Sequence, residues 1–120
     1  SLLIGIDPGR RIGLAVCYRQ RMVSGEVLNS LDKAIKRVAG LINSSCAKKK
    51  LVRIGNGEPD LAEVMAMNLS KLLKGSAIIE LVDEKGTSSL SAMKQHKRVM
   101  RDQRSAMMIA LRQGKRYVGE

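Results

Sequence analysis

The sequence predicts a mixed α/β fold, and two features of the chain indicate it. The first part holds three short apolar segments joined by tight turns, which is typical of an antiparallel meander. The remainder alternates amphipathic helical segments with short apolar strands, which is typical of strands added in parallel to one sheet. The chain has 120 residues, the size of a single domain over 1–120. We therefore expect a five-stranded mixed sheet, made of a three-strand antiparallel meander and two parallel strands, flanked by helices.

The meander is predicted from the first 27 residues. Residues 1–7 form an apolar run that ends in an acid, and the following Pro-Gly-Arg has turn chemistry. Residues 12–18 form a second apolar run, and residues 21–27 alternate as a third strand does. Connections this short join antiparallel strands, because a parallel connection needs a dozen or more residues.

The first helix and the fourth strand follow the meander. Ser30 is a candidate N-cap, and the apolar residues after it recur at helical spacing. These residues are Leu31, Ala34, Ile35, Val38 and Ile42. Residues 51–54 are apolar apart from one arginine and predict a buried fourth strand.

One predicted helix precedes the fifth strand in the sequence, and another follows it. Pro59 suits the first turn of a helix, and Gly75 ends that helix. Residues 77–82 predict the fifth strand. A last helix is predicted over residues 101–112, with Gly114 after it.

Composition points to a polyanionic partner. The formal net charge is +11, which gives a field that attracts nucleic acid or an anionic membrane surface. With no Phe, no Trp and two Tyr, the chain lacks an aromatic platform for stacking bases, so contacts to phosphate are favoured. No apolar run approaches the roughly 20 residues of a membrane span. The two cysteines match no zinc pattern and indicate a reducing compartment, so we expect a cytoplasmic location and no membrane partner.

The few acidic residues concentrate where strands are predicted to end. Asp7 ends the first strand, Glu58 follows the fourth, and Asp83 and Glu84 follow the fifth. Because the carboxyl ends of parallel strands meet at one edge of a sheet, these acids are expected to converge there. Asp102 shares the inward face of the last helix with its apolar residues. Two interpretations of Asp102 stay open: a helix cap or arginine partner, and a metal ligand facing the sheet edge.

Basic residues surround these acids. Residues 85–116 hold nine basic residues and a single acid, a balance of +8. Carboxylates that hold Mg²⁺ or Mn²⁺, ringed by cations that hold phosphates, are what metal-dependent phosphodiester cleavage requires. The candidate nucleic-acid contacts are Arg10, Arg11, Lys85, Lys94, Lys97, Arg98, Arg101 and Arg104.

Three segments of the chain resemble one known family. Residues 3–9 (Leu-Ile-Gly-Ile-Asp-Pro-Gly) and 12–16 resemble the opening strands of the RuvC/YqgF resolvase-like proteins, members of the ribonuclease H-like superfamily. Residues 82–88 resemble the Asp-Glu-Arg-x-Thr motif of the YqgF group, with Lys85 where arginine is usual. Residues 102–111 resemble the final Asp-x-x-Ala-Ala helix of that group. Residues 54–57 also resemble the YqgF-like module of the Tex transcription accessory proteins.

This resemblance implies a ribonuclease H-like fold and metal-dependent cleavage of structured nucleic acid. The substrate would be a four-way DNA junction or precursor ribosomal RNA. Cleavage would use two metal ions about 4 Å apart, which activate water and stabilise the leaving oxygen. Asp7, Glu84 and Asp102 match the acidic catalytic and metal-binding positions. Glu58 matches a further catalytic acid of the RuvC branch, or it is a helix N-terminal acid favoured by the helix dipole. A homodimer would suit symmetric cutting of a junction.

Two other functions are weighed against the nuclease. A non-catalytic YqgF-like module would bind nucleic acid through its basic face and keep the acids as structural residues. Residues 5–9 also resemble the first phosphate loop of sugar kinases and actin-like ATPases. Those enzymes clamp nucleotide between two lobes, and the length of this chain argues against that arrangement.

Overall fold

The computed structural model describes residues 1–19, 21–83, 98–112 and 114–117, with side chains described outside 98–104. The strands are β1 (Leu2–Asp7), β2 (Ile12–Tyr18), β3 (Arg21–Leu28), β4 (Lys50–Gly55), β5 (Ile78–Val82) and β6 (Lys115–Arg116). The helices are α1 (Leu31–Ser44), α2 (Pro59–Leu73) and α3 (Arg98–Leu111). No helix in these ranges is long and apolar enough to cross a membrane.

The strands form one mixed sheet in the order β3-β2-β1-β4-β5-β6. The β1–β2 and β2–β3 pairs are antiparallel, whereas β1–β4 and β4–β5 are parallel. The predicted meander and the two added parallel strands are therefore confirmed.

The expected strand count of five is corrected to six in the described part of the chain. The extra strand, β6, pairs antiparallel with β5, and the Tyr117 amide donates to the Ile79 carbonyl at 2.6 Å. A strand of two residues is too short to show the alternation of apolar and polar side chains. No strand was therefore predicted after Gly114, where the last helix was expected to stop.

The two faces of the sheet carry different helices. Ile4 and Ile6 of β1 lie in a core shared with α1 and α2. Leu3 alternates with them and packs with Ala106 and Ala110 of α3 on the opposite face. The sheet therefore separates an α1–α2 layer from an α3 layer.

The ends of the helices follow local chemistry. The Ser30 Oγ accepts a hydrogen bond from the Lys33 backbone N–H at 3.3 Å, which confirms the predicted N-cap. Pro59 is the first residue of α2, and that helix ends through Lys74 and Gly75, both with positive φ. The described part of α3 is Arg98–Leu111, so it includes three residues before the predicted start at residue 101 and ends one residue before the predicted end.

An ion pair links the middle of the sheet to the end of α3. Arg53 of β4 lies opposite Glu80 of β5, and their Nε and Oε1 atoms are 2.9 Å apart. The Arg53 Nη1 also donates to the Ala110 carbonyl at 2.6 Å, and the Gly114 amide donates to the Glu80 Oε1 at 3.1 Å. This pair therefore fixes where α3 and the chain after it lie against β4 and β5.

Candidate active site

Asp7 is the last residue of β1, a central strand of the sheet. Its side chain is half-buried. Because side chains alternate along a strand, Asp7 is on the same face of β1 as Leu3 and Gly5, which is the α3 face. The structure thus places the first predicted catalytic acid at the carboxyl end of the parallel strands.

Glu58 lies at the same edge of the sheet. It occupies the N-cap position of α2, but its side chain makes no capping hydrogen bond. Its Oε2 atom is instead 3.4 Å from where a Cβ on Gly9 would be, next to the turn that follows Asp7. The structure therefore brings Glu58 and the Asp7–Gly9 turn together.

The end of β5 completes this edge. The Asn56 amide, just after β4, donates to the Val82 carbonyl at 3.0 Å, so the two strands end side by side. Asp83 is exposed, and its backbone carbonyl accepts a hydrogen bond from the Arg112 Nη1 at 3.0 Å. The ends of β1, β4 and β5 therefore meet, as the sequence predicted.

Several predicted site residues lie outside the described residues. Glu84, Lys85, Lys94 and Lys97 belong to this group. Arg98, Arg101, Asp102 and Arg104 have described backbone in α3, whereas their side chains are not described. Arg10 is exposed and Arg11 is half-buried.

The position of Asp102 within α3 excludes helix capping as its role. Residues 98–101 are already helical, so Asp102 lies inside α3 and cannot be its N-cap. The capping interpretation is therefore wrong. The choice between an arginine partner and a metal ligand stays open.

Oxygen ligands at this edge suit a hard cation such as Mg²⁺ or Mn²⁺. Asp7 and Glu58 supply carboxylates close to one turn. Among the described side chains, no group of three His, Cys, Asp or Glu residues is close enough to hold a metal. A complete metal site would therefore require residues beyond these two.

Sequence reasoning missed the role of Gly5 in this site. A Cβ on Gly5 would lie against the Ala106 carbonyl oxygen and 2.6 Å from the Ala110 Cβ. Gly5 thus lets α3, which carries Asp102, approach β1 two residues before Asp7. The signal was the glycine itself, since glycine inside a strand often marks close backbone approach.

The comparisons with known proteins concern the fold. No family model and no curated protein matches the sequence. The structure of Thermus thermophilus RuvC is similar, with a TM-score of 0.60 and 15% identity over 92% of this chain and 91% of that chain. T. thermophilus RuvC in complex with Holliday junction substrate matches with a TM-score of 0.58 and 15% identity, over 92% and 90% of the two chains. At this identity the similarity establishes the fold and leaves the activity to be argued from the site.

Proposed function

Starting from this RuvC-like fold, we propose that the protein is a metal-dependent endonuclease that acts on structured nucleic acid. The observation that carries the proposal is the position of Asp7, at the carboxyl end of a central strand, with the Glu58 carboxylate against the next turn. Open α/β sheets have their sites at this edge. The Holliday junction bound by the similar RuvC protein supports a four-way junction as the first substrate to test.

Asp7, Glu84 and Asp102 are the proposed metal ligands. Their carboxylate oxygens are the donors that Mg²⁺ and Mn²⁺ prefer. When bound, a pair of such ions would supply the Lewis acidity that activates water and stabilises the leaving oxygen. Glu58 is the proposed fourth acid, and its Oε2 lies against Gly9, two residues after Asp7.

The basic residues bind and orient the substrate in this proposal. Arg10 is exposed three residues after Asp7, within the same turn region. Arginine forms directed hydrogen bonds with phosphate oxygens, so Arg10 and Arg11 would hold a backbone phosphate beside the acids. The net charge of +11 would raise the local concentration of nucleic acid around the molecule.

The test is cleavage of a substrate panel by the parent protein and by Asp7→Asn. The panel contains a four-way junction, duplex DNA, single strands and structured RNA, each with Mg²⁺, Mn²⁺ or EDTA. We expect metal-dependent cleavage, lowered about 100-fold or more in the variant, since metal-ion catalysis supplies several kcal/mol. Substrate binding should be retained, because the substitution conserves shape.

Asp32→Asn is the matched control. Asp32 is an exposed acid on α1, in the helix layer away from α3, and it pairs with Lys36. The Asp32→Asn variant should cleave the substrate panel at the same rate as the parent protein. Undiminished cleavage by Asp7→Asn would contradict the proposal.

A non-catalytic nucleic-acid-binding module is the second candidate. The strongly basic composition favours it, because a net charge of +11 attracts nucleic acid with or without a metal site. Salt-sensitive binding of every substrate without metal-dependent cleavage, by a folded protein, would establish this function in place of the nuclease.

A further inference from the structure

A groove of about 880 Å³ opens at the edge of the sheet opposite the acids. It is lined from the starts of β1, β4 and β5, the turn between β2 and β3, and the segment after α2. The acids lie where β1, β4 and β5 end. The groove and the candidate active site are therefore separate surfaces at the two ends of the same parallel strands.

The groove is strongly cationic. Among the described residues, its charged lining consists of Arg19, Lys48, Lys49, Lys50, Arg53 and a single acid, Glu80. Two of the cations already have partners, since the Lys50 Nζ donates to the Ile42 carbonyl at 2.7 Å and Arg53 pairs with Glu80. Arg19, Lys48 and Lys49 are exposed and pair with no acid in the part of the chain that the structure describes. Three positive charges thus face the groove without compensation.

Arg19 stands at an unusual place for an arginine. It follows Tyr18, which pairs with Arg21 in the β2–β3 hairpin, and its φ of 53° is in the left-handed region. Glycine or asparagine suits such turn positions better than a long side chain does. At this position the sequence therefore supplies a cation to the groove rather than the residue that the turn favours.

The lining suits a phosphate backbone better than a base or a single small anion. No described residue of the lining is aromatic, so these residues offer no surface on which bases would stack. Its uncompensated cations come from two separate chain segments, which fits successive phosphates of a polymer. Lysine contacts phosphate as a point charge without selecting a sequence.

The distance between the two surfaces also fits a polymer. β1 has six residues, and at about 3.3 Å per residue it spans roughly 20 Å. A duplex advances about 3.4 Å per base pair, so about six base pairs cover that distance. An arm of a substrate held at the acids is therefore long enough to reach the groove.

We propose that this groove, through Arg19, Lys48 and Lys49, is a second binding surface for the phosphate backbone of the nucleic acid substrate. The inference rests on the proposed function, because that function supplies the nucleic acid. It adds a contact at the edge of the sheet opposite the active site. The contact is electrostatic and independent of base sequence.

The test compares Lys48→Gln/Lys49→Gln with the control Lys36→Gln/Lys71→Gln, which removes two exposed lysines of α1 and α2 outside the groove. Both variants lose the same net charge, so a general field effect is matched. Binding of a four-way junction is measured in EDTA over a range of salt concentrations. Two lost phosphate contacts should reduce the steepness of log K against log salt by about 1.8 for the groove variant, and by clearly less for the control.

A second measurement locates the contact on the protein. Lysine acetylation is followed by mass spectrometry with and without the bound junction. Lys48 and Lys49 should be protected, and Lys36 and Lys71 should react as in the free protein. Equal salt slopes for the two variants, or no protection of Lys48 and Lys49, would contradict the proposal that the groove binds the phosphate backbone. The proposed nuclease function would still hold if the parent protein binds and cleaves the junction. A parent protein that binds no nucleic acid overturns both proposals.

Discussion

Gly5 sets how closely the last helix approaches the sheet. In Gly5→Ala the new Cβ would meet the Ala106 carbonyl oxygen and the Ala110 backbone N, 2.7 Å away. These are backbone atoms that cannot rotate away, so α3 must shift. We expect unfolding by urea to show a loss of about 1–3 kcal/mol, as for other overpacked sites. Because α3 carries Asp102, the proposed cleavage should fall as well.

Gly40 provides the control for this substitution. It lies exposed inside α1, and a Cβ added there meets nothing within 4 Å. Gly40→Ala should leave the protein as stable or raise its stability by about 0.5–1 kcal/mol, since alanine is the better helix former. Equal stability changes in the two variants would show that α3 does not pack on Gly5 as described.

Cys17 and Cys46 should differ in reactivity. Cys17 is buried with Ala106 and Ala110, and this burial raises the pKa of its thiol because the thiolate is poorly solvated there. The stability that the neutral thiol contributes is present below the ordinary thiol pKa and is lost as pH rises through the raised value. A thiol titration of the native protein at neutral pH should therefore detect the exposed Cys46, and Cys17 only after denaturation. Simultaneous reaction of both thiols would contradict this.

The residues of the site were predictable to different degrees. Asp7 and Glu58 could be placed at one edge because each follows an apolar run, and runs of that kind become parallel central strands. The contact between Gly5 and Ala106 could not be predicted, since the two residues are a hundred positions apart and glycine does not specify its neighbour.

The strands and helices themselves were largely evident from local periodicity. Apolar runs of four to seven residues marked β1, β2, β4 and β5, and Ser30 and Pro59 marked the starts of two helices. Two features were beyond this reasoning. β6 has too few residues for a period, and the helical residues before the predicted start of α3 include the polar Arg98, which an apolar pattern does not mark.

The Arg53–Glu80 pair should hold β4, β5 and α3 together more strongly than a surface pair could. Its side chains are only 14% and 16% exposed, and Glu80 also accepts from the Gly114 amide. Glu80→Ala leaves Arg53 without its carboxylate, and we expect a loss of about 2–3 kcal/mol in urea unfolding.

The exposed pair on α1 is the comparison for that substitution. Lys36 and Asp32 are each 75% exposed, so Lys36→Ala should change stability by less than about 0.5 kcal/mol. A similarly small change in Glu80→Ala would mean that the pair does not position α3.

The whole molecule presents two chemically different ends of one sheet. The carboxyl ends of β1, β4 and β5 carry acids, and their amino ends carry uncompensated cations. The overall charge predicted a nucleic-acid partner but could not locate the groove, because Arg19 and Lys48 are far apart in sequence. The single domain over 1–120, the homodimer and the cytoplasmic location stay predictions.

The order of the sheet has a consequence for how the chain assembles during synthesis. The meander of β1, β2 and β3 involves only neighbouring segments, so it can form while the rest of the chain is still on the ribosome. The α3 face of that meander, around Gly5 and Cys17, is covered by residues that emerge about ninety positions later. The apolar side chains of that face therefore stay uncovered until α3 has been synthesised. A ribosome that stalls before α3 would release a chain in which the meander is formed but one apolar face is exposed. Such a chain would be prone to aggregation and would lack an assembled active site.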